Sequence, residues 1–198
     1  HAGSTQLNAG VSFGRLFFDD PVSLANDAAT AKTAGEFAKW QVRASRSQSL
    51  NPVWSLVWSL DMQSANRNLD ATQKFAIGGF HSVRAYESGV LSADEAVFTS
   101  VECRLHLPTP PQGINISGEW YGAVFWDAAM ARINKRPWST DSNQATLLAS
   151  GIGLYWQGND HWRASLALAN VQGRVPDCFD SSGVTLNRVW FELSKGWR

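Results

Sequence analysis

This chain is short of charge and cysteine and has no long apolar run, and each shortage closes off a class of protein. Charged residues make up 17% of the 198 positions, against about 25% in an ordinary soluble domain. Seventeen basic residues balance seventeen acidic ones, and the pI is near 7.1. No bulk positive surface is therefore available to hold nucleic acid. The two cysteines, Cys103 and Cys178, match no metal-ligand spacing. No apolar run reaches the roughly 18 residues that a membrane-spanning helix needs. No charged-then-apolar leader follows His1, so residues 1–198 read as one domain cut or matured from a longer protein. Amphipathic helical periodicity, internal repeats and low-complexity linkers are also missing.

What the chain has in excess is tryptophan, with ten copies. It also has a strong period of two. In "VWSLVWSLDMQ", Trp54, Leu56, Trp58, Leu60 and Met62 fall on one face and Ser55, Val57, Ser59, Asp61 and Gln63 on the other. Ala38, Trp40, Val42 and Ala44 oppose Lys39, Gln41 and Arg43 in the same way. Leu7, Ala9, Val11 and Phe13 alternate, as do Val97, Val101, Cys103 and Leu105 against Phe98, Glu102, Arg104 and His106. Ile116, Trp120, Val124 and Trp126 oppose Glu119, Tyr121 and Asp127, and Trp162, Ala164, Leu166 and Leu168 oppose Arg163 and Ser165. Looser alternation runs through Leu148 to Trp156 and Val189 to Leu193. The pattern predicts about eight strands of roughly 10–14 residues, longer than the usual 5–6 and suited to a tilted membrane-spanning strand.

The connections alternate long and short. Asp19–Thr33, Ser64–Ala93, Ala129–Gln144 and Val171–Thr185 are long. Ser49–Pro52, Pro108–Gly113 and Gln157–Asp160 are short. An up-and-down sheet puts alternate connections at one end, so all long loops share one end and all tight turns the other, as in outer-membrane barrels. A soluble lipocalin-like barrel would show the same period with its apolar face inward. Three features favour the inverted arrangement: tryptophan near strand ends, polar faces of Ser, Gly, Ala and Gln, and long strands. The expected fold is all-β, an antiparallel up-and-down transmembrane β-barrel.

Catalytic chemistry is not indicated. The four histidines are scattered, His106 and His161 fall on different strands, and no Gly-x-Ser-x-Gly elbow is present. Glu102 and Glu119 share an inward face, but Arg104 beside them reads as part of a lumenal charge lattice rather than an acid–base pair. Two features stand apart. "GGFHSVRAYESG", from Gly78 to Gly89, breaks the strand period and sets Arg84 between apolar neighbours. Asp127 stands on an inward face near the end of its strand. A guanidinium meeting that carboxylate in a confined site would make a strong directional pair. A solvated loop arginine and a turn-opening aspartate are the plainer alternatives.

The run from Leu69 to Leu105 resembles the barrel of the two-partner secretion transporters, the hemolysin secretion/activation proteins of Gram-negative outer membranes. Their loop motif reads roughly Gly-Gly-x-x-x-Val-Arg-Gly-Tyr/Phe, followed by Glu-x-Arg in the next strand. Here it is matched by Gly78, Gly79, Val83, Arg84, Ala85 and Tyr86, then Glu102 and Arg104. An aromatic-x-Asp motif on the inner wall is matched by Phe125 and Asp127. The resemblance implies a sixteen-strand barrel, of which this chain would be the C-terminal half, with two POTRA domains and a plug helix lying upstream of it. It implies that the loop folds back into the lumen and that Arg84 pairs with Asp127. It also implies outer-membrane lipid, the barrel-assembly machinery and a secreted exoprotein with an N-terminal secretion domain as partners, without cofactor, metal or ATP. Ala85 replaces the motif glycine; if the position needs positive φ, alanine costs about 1 kcal/mol. The chain ends on Arg198 rather than on the aromatic Trp197 with which many outer-membrane proteins end. Two other membrane readings stay open: a barrel-assembly protein of the same superfamily, and a closed eight-strand adhesin or lipolytic barrel in which Thr5–Phe17 pairs with Leu186–Trp197.

Overall fold

The computed structural model describes residues 2–108, 116–174, 176, 178 and 187–197. In chain order its elements are β1 (Gly3–Leu16), α1 (Pro21–Ala29), β2 (Gly35–Ser49), β3 (Trp54–Ala65), a 3-10 turn (Ala71–Gln73), β4 (Phe75–Ile77), β5 (Leu91–Ala93), β6 (Glu95–Leu107), β7 (Glu119–Arg132), β8 (Gln144–Gln157), β9 (Trp162–Gln172) and β10 (Asn187–Lys195). Eight strands form one antiparallel sheet in the order β1-β2-β3-β6-β7-β8-β9-β10, and β4 with β5 makes a separate hairpin. The topology is the expected meander. Strand lengths in the eight-stranded sheet run from 9 residues in β10 to 15 in β2.

The sheet does not close on itself. β1 pairs with β2 and β10 with β9, which leaves β1 and β10 as edges. Thr5–Leu16 therefore does not meet Asn187–Lys195, and the closed eight-strand reading fails for these residues. Leu186 lies outside the described residues.

Alternation sorts the side chains onto two unlike faces. On one face Leu7, Val11, Phe13, Val124, Met130, Ile152, Val189 and Phe191 stand exposed to solvent, up to 82% for Phe13. On the other, Gln63, Ser100, Glu102 and Asp127 are buried. A soluble barrel has the reverse arrangement, so the lipocalin-like alternative does not describe this sheet. Five of the ten tryptophans sit on the apolar face at the tight-turn end: Trp54, Trp120, Trp156, Trp162 and Trp197. Trp120 and Trp156 are register partners with ring centroids 6.2 Å apart. Their indole N–H groups donate to the Ile116 and Ser117 carbonyls. The Lys195 ammonium lies 4.1 Å from the Trp197 ring centroid and 5.0 Å from that of Trp162. Amphipathic rings collected at one height have the pattern of the aromatic girdles of membrane barrels.

The long-loop end differs from expectation in three details. The first connection contains α1, although no helix was expected. Its signal is a short cap: Asp20 accepts from the Ser23 amide at 2.8 Å and Pro21 opens the first turn. The second connection carries the β4–β5 hairpin, which projects Gly78–Val90 from its tip. The third is shorter than expected because β7 runs on to Arg132. His161 also lies in a tight turn, at φ 62°, rather than in a strand. All of the short connection expected at Pro108–Gly113 except Pro108, and most of the long one at Val171–Thr185, lie outside the described residues.

Buried polar groups bind these loops together. Asp94, fully buried, accepts from the Leu69 amide at 3.0 Å and the Lys135 amide at 2.8 Å, with the Lys74 ammonium 3.3 Å away. Asn68 donates to the Ala31 and Arg136 carbonyls and accepts from the Arg136 amide. One asparagine thus ties the first long loop to the third. Each of these bonds satisfies a backbone group that strand pairing leaves over.

Arginine at Val124, in the middle of the apolar face, is expected to lower stability by about 2–4 kcal/mol in a bilayer. At an ordinary exposed site in water the change would stay within about 0.5 kcal/mol. Urea unfolding of the transporter in lipid vesicles measures the difference.

Candidate functional site

The site lies on the polar face, where the Gly78–Val90 loop packs against β6, β7, β8 and β10. The loop is shaped locally first. Gly78 and Gly79 sit at φ 97° and 102°, a region closed to most side chains. A Cβ on Gly79 would stand 2.6 Å from Ser88 Oγ. The turn this permits is closed by bonds from the Gly79 amide to the Tyr86 carbonyl and from the Tyr86 amide to the Val83 carbonyl. Val83, Ala85 and Tyr86 are then buried, and Arg84 is directed at the sheet.

The wall beneath is built of small residues. Ala129, Ala149, Ala167 and Ala169 are almost wholly buried, and Gly151 has no room for a Cβ because the Phe125 ring lies within 2.5 Å of where it would stand. Phe125 thus packs over Gly151, and the Arg84 guanidinium lies over its ring, 3.4 Å from the centroid. That is a close cation–π contact in a largely dry setting.

Every guanidinium nitrogen of Arg84 is used. Nε donates to Asp127 Oδ2 at 2.8 Å and Nη2 to Asp127 Oδ1 at 2.7 Å, a two-pronged grip. Nη2 also reaches Ser100 Oγ at 3.0 Å. Nη1 donates to Glu102 Oε1 and to the Tyr155 hydroxyl. The Arg84 backbone amide donates to Asp127 Oδ2 at 3.1 Å. Ser100 Oγ donates to Asp127 Oδ1 at 2.7 Å, and Tyr155 donates to Glu102 at 3.2 Å. Arg104 balances the remaining charge, its guanidinium 2.7 Å from Glu102 Oε2. Two guanidinium groups face two carboxylates, so the cluster is neutral. Burial, which would favour neutral arginine, is outweighed by Asp127 and Glu102, and the Arg84 pKa is raised.

Register assembles these groups from distant sequence. Ser100 is the partner of Asp127 across β6 and β7, and Glu102 is the partner of Phe125. The structure does not bring Glu119 to the cluster. On the inward face of β7 it lies well down the strand from Phe125, about 20 Å away at strand spacing, and accepts from the Tyr121 hydroxyl at 2.7 Å. Sequence reasoning named Arg84, Phe125, Asp127, Glu102 and Arg104 but missed Ser100 and Tyr155. Ser100 was within reach, since it shares the inward period of Glu102 and Arg104. Tyr155 carried no local signal.

A cavity of about 390 Å³ opens beside the cluster, bordered by Asp61, His81, Arg84, Glu102 and Tyr155. No group of three potential metal ligands occurs among the described residues.

Residues 1–131 match the family model of the haemolysin secretion/activation proteins ShlB/FhaC/HecB. The chain belongs to this family. The matched segment includes the whole loop together with Glu102, Arg104, Phe125 and Asp127. Over 196 residues the chain is 23% identical to the heme/hemopexin transporter protein HuxB of Haemophilus influenzae strain 86-028NP, covering 98% of this chain and 33% of that protein. A second HuxB from Haemophilus influenzae is 24% identical over 155 residues, covering 77% of this chain and 26% of that one. Among solved structures, CdiB from Escherichia coli superposes with a TM-score of 0.73 at 18% identity, covering 96% of this chain and 33% of that one. The chain spans about a third of the length of these relatives. Its meander is thus the fold of part of such a transporter barrel.

Family membership sharpens the question of Ala85. The described non-glycine residues at positive φ are Lys32, Asp160 and His161, so Ala85 occupies ordinary backbone space and carries no left-handed strain. Ala85→Gly is expected to destabilise the folded barrel by about 0.4–1 kcal/mol, through the extra freedom glycine gives the unfolded chain. A denaturant midpoint higher than that of the parent would show instead that alanine is strained there.

Proposed function

We propose that this chain is the C-terminal half of the barrel of a two-partner secretion transporter. In this reading it lies in the bacterial outer membrane, with the tight turns periplasmic and the long loops extracellular. The whole protein passes a large partner exoprotein, an adhesin or cytolysin bearing an N-terminal secretion domain, through its lumen. The apolar face meets lipid, and insertion depends on the barrel-assembly machinery. The chain itself performs no bond-making chemistry.

The observation that carries this reading is the seat of Arg84. A loop from the long-loop end reaches down to the polar wall and spends every guanidinium nitrogen there. A loop so held narrows the lumen and leaves a polar surface around it for an extended chain to pass. Such a chain is unfolded and chemically varied, so the wall has to wet it without gripping it. The inward faces of β1 to β3 are suited to this, because Gln6, Asn8, Gly10, Gln41, Ser45 and Ser59 are uncharged and small or flexible, and of the charges beside them Arg43 is paired with Asp61 and Lys39 donates to the Gln73 carbonyl.

Replacing Arg84 by alanine leaves the buried Asp127 without its cation, while Glu102 keeps Arg104, at a local cost of about 3–5 kcal/mol. That shifts the seating equilibrium on the order of a hundredfold or more. The full-length transporter with Arg84→Ala is expected to remain a heat-modifiable barrel in the outer membrane while exoprotein in the medium falls sharply. Normal export by that variant would remove the seat from the mechanism.

A further inference from the structure

The contacts of β10 with the loop are the part of the site that no motif explains. Val189, Phe191 and Leu193 face outward and are exposed. The three residues that alternate with them through the strand, Arg188, Trp190 and Glu192, face the loop, and each meets it. Trp190 Nε1 donates to the Arg84 carbonyl at 2.6 Å. Arg188 Nη2 lies 3.0 Å from Glu87 Oε1. Glu192 Oε2 lies 3.1 Å from His81 Nε2. The loop positions 81, 84 and 87 run antiparallel to strand positions 192, 190 and 188, one contact per strand repeat.

We propose that β10 is a latch for the loop, with Trp190 as its positioning residue. The arginine is held from two directions. Its guanidinium and amide hydrogen are taken by β6, β7 and β8, and its carbonyl is taken by β10. The carbonyl contact fixes the peptide plane, and with it the direction in which the side chain leaves the backbone. The flanking charges set alignment. Arg188 faces an acid on the loop and Glu192 faces an imidazole, so the reversed alignment would bring Glu87 against Glu192. β10 is also an edge of the sheet. The loop's seat is thereby tied to the strand on which a continuing barrel must join. A loop leaving its seat releases that strand's inward side chains, and a displaced edge strand pulls on the Arg84 carbonyl.

The inference rests on the lumenal-loop reading above, and its readout is loop accessibility rather than export, so the two can fail separately. Val83 is completely buried under the seated loop. A Val83→Cys transporter, with Cys103 and Cys178 changed to serine, is labelled in intact cells with a small maleimide. Trp190→Phe keeps the ring and removes the donor. It is expected to raise the labelling rate about three- to tenfold, the effect of losing one hydrogen bond. Arg188→Glu gives a smaller rise, and adding Glu87→Arg to it returns the rate to the parent value. An unchanged rate in Trp190→Phe overturns the latch. Should that variant fail to fold on a heat-modifiability gel, the charge exchange decides: no rise in Arg188→Glu, or no recovery on exchange, overturns it. Fast labelling in Trp190→Phe with normal export supports the latch and removes loop seating from the transport step.

Discussion

A guanidinium cannot be buried against a sheet unless its charge is met and its donors are all taken, and Arg84 imposes that demand on everything near it. Asp127 accepts four hydrogen bonds around this one residue and is itself fully buried. Glu102 brings the second carboxylate, and Arg104 restores neutrality. The alanines and glycines of β7, β8 and β9 let the loop come close enough for the bonds to form, and Phe125 supplies the floor. Gly78 and Gly79 make the turn that presents the arginine. Changing any of these groups alters the geometry that the arginine requires.

The same sheet carries a second, opposite solution on its other face. There the groups are branched aliphatics and aromatics with few hydrogen-bonding obligations beyond the indoles at one end. A two-faced sheet of this kind cannot be stable as an isolated soluble object, because its exposed area is apolar while its polar groups are covered. An apolar surrounding on one side and a polar wall packed against its own loop on the other would resolve both conditions. The strands, at 9 to 15 residues, are accordingly longer than is usual in a globular core and fall in the range of tilted barrel strands.

Much of this is readable without coordinates. A side chain's face follows from parity, and parity survives in sequence even where the strand ends do not. Thus Phe13, Val124 and Phe191 are assignable to one face and Asp127 to the other. Loop lengths carry the polarity of the barrel for the same reason, since alternate connections must share an end. What parity cannot give is register. That Ser100 lies opposite Asp127, or that Tyr155 reaches Glu102 from β8, depends on how far each strand slides against the next, and the turns that set this carry weak local signals. Glu119 shows the limit well. It has the right face and the wrong height. The helix at Pro21–Ala29 escapes for a different reason: it is too short to establish a period, and only its Asp20–Pro21 opening marks it.

The sequence separations within the site have a consequence for how the barrel comes into being. Arg84 meets residues 43 positions away on β7, 71 away on β8 and 106 away on β10. Closing such spans costs chain entropy before any contact repays it. The loop precedes in sequence the strands that hold it, and its charged tip has to stay wet until β6, β7 and β8 bring Glu102, Asp127 and Tyr155 together. The guanidinium can therefore be seated only after β6, β7 and β8 have found their register, and the bond from Trp190 to the Arg84 carbonyl spans the longest separation of all.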